Sequence, residues 1–185
     1  MDGDLRLRTD RLVLRGWRPA DRAPFAAMNA DPEVMEHLHG LMSREESDAF
    51  VDRIEADWRD RGFGLWAVEV VDEADLIGYV GLAVHPFMPT PEIGWRLARP
   101  FWGRGFATEG ARAVLTDGFE RLGLTEVVSF TIPANVRSTR VMERVGMTHD
   151  PSDDFDHPRF PLGHRLSRHV LYRINRENWL RTLGK

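Results

Sequence analysis

The sequence contains no cysteine, one lysine at its last position and only two tyrosines among 185 residues. Without cysteine there is no disulfide scaffold, no thiolate zinc site and no cysteine nucleophile. No window approaches the roughly 18 consecutive apolar residues of a membrane span, and the opening MDGDLRLRTDRLVLR has no apolar signal-peptide core. A cytoplasmic protein with no membrane partner is the expectation. Also missing are a Gly-Lys-Ser/Thr phosphate loop, a third glycine after Gly103-x-Gly105, where Thr108 stands, and a Gly-x-Ser-x-Gly elbow around Ser152-Asp153-Asp154. ATP, NAD and serine-hydrolase chemistry are disfavoured accordingly. His157, His164 and His169 have no matched carboxylate pattern, so no metal site is expected.

What is present is the composition of one globular domain over residues 1–185, 42% hydrophobic and 29% charged, with a net charge of −4. The charge is uneven. Seven basic residues against Glu177 give residues 157–185 a net +6, so the preceding 156 residues carry −10. Because Arg159, Arg165, Arg168, Arg173, Arg176, Arg181 and Lys185 alternate with Leu166, Val170, Leu171, Tyr172, Ile174 and Trp179, this segment reads as the wet side of a packed element. No nucleic-acid partner is expected.

Leu5, Leu7 and Leu12 to Leu14, broken at Thr9-Asp10, predict one kinked strand or two short ones. Three helical pieces follow: Asp21 to Met28, one opened by Asp31-Pro32, and one opened by the capping box Ser43 to Glu46 and running through Phe50, Ile54 and Trp58. Leu65 to Val71 and Leu76 to Val84 then predict a hairpin turned at Asp72 to Asp75, with a third strand at Glu92 to Ala98. The three prolines of His85 to Pro91 predict a surface loop between the second and third of these strands. Trp17, Phe25, Met28, Met35 and Trp58 are expected mostly in the core.

After the third strand comes Trp102-Gly-Arg-Gly-Phe-Ala-Thr108, and from Gly105 onward Ala107, Ala111, Val114, Leu115, Phe119 and Leu122 recur at helical spacing. Strand, glycine turn and helix form an anion site: glycine lets the backbone approach a ligand, and the first helical N–H groups and the dipole favour phosphate. A strand over Val127 to Thr131 leads to Asn135, which caps a helix through Ser138, Val141, Met142 and Val145 that ends at Gly146.

In order and spacing, EIGWRL, WGRGFATEGARAVL and NVRSTRVMERVGM resemble the Gcn5-related N-acetyltransferase (GNAT) superfamily, and more closely its RimJ/RimL-like branch that acetylates ribosomal protein N-termini. The likeness includes TDRLVLR, GYVGL and HVLYR and so covers nearly the whole chain. It implies an α/β fold with a mixed, mostly antiparallel sheet, helices on both faces and a V-shaped splay between strands 4 and 5. Those strands, at 92–98 and 125–131, would hold pantetheine between them, and the first two helices would form one wall of the acceptor groove. The resemblance assigns acetyl-CoA to Trp95, Arg96 and Leu97 on the first strand, to Trp102, Gly103, Arg104, Gly105, Phe106, Ala107 and Thr108 in the pyrophosphate loop, and to Asn135 and Ser138. Trp102 stands where the wider family has Gln or Arg; in this branch Trp-Gly-x-Gly is familiar and the donors are backbone groups. Arg104 is equally readable as a phosphate contact or a solvated loop residue.

The implied chemistry needs a base. An α-amino group titrates near ~8 and a lysine amine near ~10.4, so at neutral pH the acceptor must lose a proton before it attacks a thioester. Glu92, the only acid on the strand before the loop, is the expected general base, with a surface ion pair as its bland alternative. The CoA thiolate, with a thiol reference near ~8.5, needs only modest help. Many relatives place a tyrosine seven residues after the asparagine, but Met142 stands there, so Ser138 or water is the expected donor. The acceptor is a primary amine, a protein N-terminus first and a small amine such as an amino acid, polyamine or antibiotic second; a non-catalytic acyl-CoA sensor is the alternative outside enzymes. A monomer or homodimer is expected.

Overall fold

The structure, a computed structural model, describes residues 6–184; Leu5 and Lys185 lie outside the described residues. The chain divides into two compact units, one of residues 1–83 and 94–114 and the other of 84–93 and 115–185. No described helix is long and apolar enough to cross a membrane.

In the first unit, strands β1 (Leu7–Arg8), β2 (Leu12–Arg15), β3 (Leu65–Val70) and β4 (Ala74–His85) pair antiparallel in sequence order. Thr9-Asp10 breaks the leading strand in two because the Thr9 hydroxyl accepts from the Leu12 N–H and closes a local turn. Helices α1 (Arg22–Asn29), α2 (Pro32–Met35) and α3 (Arg44–Arg61) follow β2. The capping box at α3 is formed reciprocally: Ser43 Oγ accepts from the Glu46 N–H at 3.1 Å, and Glu46 accepts from the Ser43 N–H at 2.7 Å. Ser47, Val51, Ile54 and Trp58 recur along one face of α3 and are buried, while Gly62 ends the helix in the left-handed region. Trp17, Phe25, Met28, Met35 and Trp58 are all core residues. Strand β5 (Met88–Leu97) supplies its second half here, followed by a turn and helix α4 (Phe106–Glu120).

In the second unit, β6 (Glu126–Thr131) leads to α5 (Val136–Arg144), two-residue strands β7 (Thr148–His149) and β8 (Phe155–Asp156), then β9 (Arg168–Asn175) and α6 (Arg176–Leu183). β9 pairs antiparallel with β6, β7 and β8, and β5 runs parallel to β6 in register at Glu92 and Val128. Among the described residues, nine strands in mostly antiparallel pairs, with helices, make a mixed α/β fold. The parallel strands are the fifth and sixth, one later than expected, because the first strand is split. Leu166, Leu171, Tyr172, Ile174 and Trp179 are buried, and the arginines between them are exposed or half-exposed.

One expectation fails. His85 to Pro91 is not a loop: β4 runs through His85 and β5 starts at Met88, leaving Pro86-Phe87 as the turn. Pro89 and Pro91 are two residues apart, so their missing donors fall on one edge of the strand, while Thr90 and Glu92 keep theirs on the other. A second difference is small: the cap of α5 is Val145, and Gly146 follows it at φ 90°.

Candidate active site

The glycine loop belongs to the first unit. Gly103 and Gly105 take φ of 73° and 83°, the left-handed region that favours glycine. A Cβ at Gly105 would lie 3.5 Å from Arg11 Nη2, an ordinary contact, so it is the positive φ that calls for glycine. The first helical bond of α4 ends on the Gly105 carbonyl, which accepts from the Glu109 N–H at 3.0 Å. The N–H groups of Phe106, Ala107 and Thr108 thus precede the helical ladder and have no acceptor within it. With residues 103 to 105 exposed, this is a backbone cradle that fits a phosphate.

Glu109, in the first turn of α4, anchors the cradle. It accepts from Thr9 Oγ1 at 2.6 Å, from the Arg11 N–H at 3.0 Å and from Arg11 Nε at 2.8 Å, while Arg11 Nη1 donates to the Arg104 carbonyl at 3.1 Å. Burial alone would raise the Glu109 carboxyl; the bonds from Thr9 and Arg11 outweigh it and hold the group below the usual carboxylate range. Arg104 is itself tied to Glu73 by two bonds of 2.6 and 2.7 Å. This is an exposed ion pair, beside the backbone donors of the loop. Trp102 donates its indole N–H to the Leu97 carbonyl at 2.7 Å, which fixes the loop entry against β5. Trp95 is half-buried on that strand. The Arg96 side chain is buried and donates from Nη1 to Asn29 Oδ1 at 2.6 Å.

Glu92 and Asn135 belong to the second unit. Glu92 Oε2 lies 2.5 Å from His85 Nε2, the two side chains retaining 16% and 30% exposure. Burial pushes the Glu92 carboxyl up from its ordinary value; the bonds from His85 and from the Phe130 backbone offset part of the rise. The carboxyl is thus partly desolvated and paired with an imidazole. His85 escaped the sequence reading because the prolines concealed a hairpin; it ends β4 just before the Pro86-Phe87 turn, and Glu92 lies further along β5. An aromatic collar surrounds the pair. His85 stacks on Phe87 at 5.3 Å and meets Phe130 edge-on at 5.5 Å, with Phe155, His157 and His169 packed beyond.

Asn135 accepts from the Ser138 N–H at 3.3 Å and donates to Thr131 Oγ1 at 3.0 Å, so it both caps α5 and joins it to the end of β6. Ser138 is half-buried in the first turn of α5. Met142 is fully buried in the core.

The acetyltransferase (GNAT) domain family matches residues 11–148. The FsC-acetyl coenzyme A-N(2)-transacetylase of Aspergillus fumigatus is 38% identical, over 95% of this chain and 78% of that protein. The uncharacterized N-acetyltransferase YnaD of Bacillus subtilis is 28% identical, over 95% and 99% of the two chains. The acetyltransferase from Agrobacterium tumefaciens superposes with a TM-score of 0.78 at 29% identity, covering 94% of this chain and 95% of its own. RimL, a ribosomal L7/L12 alpha-N-protein acetyltransferase in complex with coenzyme A, shares the fold with a TM-score of 0.77 at 17% identity.

Proposed function

The chain belongs to the GNAT acetyltransferase family and is an acyltransferase, and from that premise we propose that it moves an acetyl group from acetyl-CoA to a primary amine by direct attack on the thioester. The observation that carries the reading is the Glu92–His85 pair, a buried carboxylate 2.5 Å from an imidazole with its pKa raised by desolvation. Such a group accepts the proton an ammonium must lose near neutral pH. Acetyl-CoA supplies the activated acyl group and a thiolate leaving group. The Phe106, Ala107 and Thr108 N–H groups bind its pyrophosphate, with Trp95 to Leu97 of β5 and Asn135 contacting the arm. Glu92, held by His85, takes the amine proton, and Ser138 or water protonates the departing sulfur. One N–C bond forms and one C–S bond breaks; of the two protons the ammonium gives up, the first leaves through Glu92 to solvent before attack, and the loss of the second on collapse balances the proton that the departing sulfur takes from Ser138 or water.

Two acceptor classes have support. Likeness of the three motifs to the RimJ/RimL branch supports a protein N-terminal amine, whereas the 38% identity to an N(2)-transacetylase supports a small-molecule amine. Release of CoA, measured with N-terminal peptides and with small amines, decides between them. Acetyl-CoA binding with no turnover on any amine would replace the enzyme with an acyl-CoA sensor.

A further inference from the structure

Two arginines of the first unit are buried, and they are treated very differently. Arg15 has every nitrogen occupied: Nε donates to Glu69 at 2.7 Å, Nη1 to Asp21 at 2.7 Å and to the Gly16 carbonyl, and Nη2 to Asp21 at 2.9 Å and to the Asp75 carbonyl. That is a finished structural ion cluster. Arg96 is 8% exposed, yet no carboxylate pairs with it among the described residues. Nη1 donates to Asn29 Oδ1, whose amide is oriented by its own bond to Ser47 Oγ at 2.9 Å, and Nη1 lies 3.9 Å from Met42 Sδ. The guanidinium sits over the rings of Phe50 and Tyr79 at 5.6 and 5.4 Å. Nε is buried with no hydrogen-bond partner.

A guanidinium stays charged at any working pH, and a buried charge without a counter-charge is costly. Two ring faces and one amide return only part of that cost. The missing element is a planar anion matching the edge of the fork that carries Nε, which is the geometry of a carboxylate. Two of the flanking side chains, Met42 and Phe50, are half-exposed, and an unbranched methionine is readily displaced.

We propose that Arg96 binds a carboxylate carried by the acetyl acceptor. This rests on the amine-acetylation reading, since it is through β5, the strand of Glu92, that the ligand is identified as the acceptor. The carboxylate is either the free α-carboxylate of a small amine or an acidic side chain near a peptide N-terminus.

The test uses matched acceptors: amino acids against their amides, and peptides differing only by Asp or Asn at the second residue. The wild type should favour the acid by about tenfold or more in kcat/KM, mainly through KM, in one of the two pairs. The pair that shows it identifies the source of the carboxylate. Arg96→Gln should bring the acid-to-amide ratio close to one, and Arg96→Lys should keep part of it. The ratio is internal to each variant, so a general loss of stability leaves it readable. Equal use of acid and amide by the wild type in both pairs overturns the proposal, even if no variant folds. Survival of the preference in Arg96→Gln overturns it as well, because the anion then binds elsewhere. Should no amine be acetylated, the functional reading has failed separately. Thermal shift with an N-acetyl amino acid against its amide then still tests Arg96, and equal shifts count against it.

Discussion

At the residue scale the proposed chemistry rests on Glu92 and His85. Glu92→Gln keeps the shape of the side chain and removes its basicity, so kcat/KM should fall by about 10²–10⁴ while acetyl-CoA still binds, read by steady-state rates and calorimetric titration. His85→Phe keeps a ring against Phe87 and Phe130 and removes the bond that lowers the Glu92 pKa. The carboxyl should then rise further, and the ascending limb of the pH–rate profile should move to higher pH. If the two side chains act as one unit, the double variant should be little worse than Glu92→Gln alone; multiplied losses would mean independent roles. Asn135→Ala should cost about 1 kcal/mol through the lost cap and weaken the cofactor, whereas Ser138→Ala should lower turnover modestly at nearly unchanged affinity. Unchanged turnover in Ser138→Ala would leave water as the proton donor. Glu92 was legible in the sequence because a lone acid in an apolar strand stands out. His85 was not, because its relation to Glu92 depends on a register that six intervening residues, three of them prolines, concealed.

At the element scale, the turn between β5 and α4 has to be glycine where φ is positive and the backbone faces the ligand. Gly105→Val places a β-branched residue at φ 83° with its Cβ 3.5 Å from Arg11, so the protein should fold less stably and lose the thermal shift given by acetyl-CoA. Glu109→Ala tests the anchor in a different way. It releases Thr9 and Arg11 together, leaving Arg11 to hold the Arg104 carbonyl alone, so affinity for acetyl-CoA should fall with the glycines intact. Equal affinity in titration would show that the cradle is self-supporting. Local signals were enough to read the N-caps of α3 and α5, the glycine turn and the period of α4, since each is decided within a few residues. What they missed was decided by pairing at a distance: the β4–β5 turn, the two-residue strands β7 and β8, and the counter-charge that ties Arg104 to Glu73.

At the scale of the whole molecule, a ligand specific to the folded state stabilises it by mass action, about 2.7 kcal/mol at a hundredfold excess over Kd. Acetyl-CoA should therefore raise the melting temperature where ATP and NAD do not. Acid stability has a separate origin in the second unit. His157 is held neutral by burial and by the charges of His169, His85 and Arg159, with its pKa lowered to about 4 from 6.5; burial lowers His169 in the same direction. In the unfolded chain both imidazoles titrate near their ordinary value. Between pH 6.5 and about 4 the unfolded state therefore binds a proton at residue 157 that the folded state does not, and the contribution of His157 to stability falls as pH falls through that window, opposed by Glu92, whose raised pKa acts with the other sign. The Glu109 carboxylate, whose folded pKa is lowered, withdraws its stabilisation only as pH falls below the usual carboxylate range, so the two origins separate on the pH axis. His157→Phe, which keeps an aromatic ring against Phe87, Phe130 and Phe155, should reduce the loss of urea midpoint between pH 7 and pH 5 while leaving the loss below pH 4 in place. An identical loss in both proteins would mean that the folded state protonates His157 as easily as the unfolded chain does, and that the collar around His85 opens to water in acid.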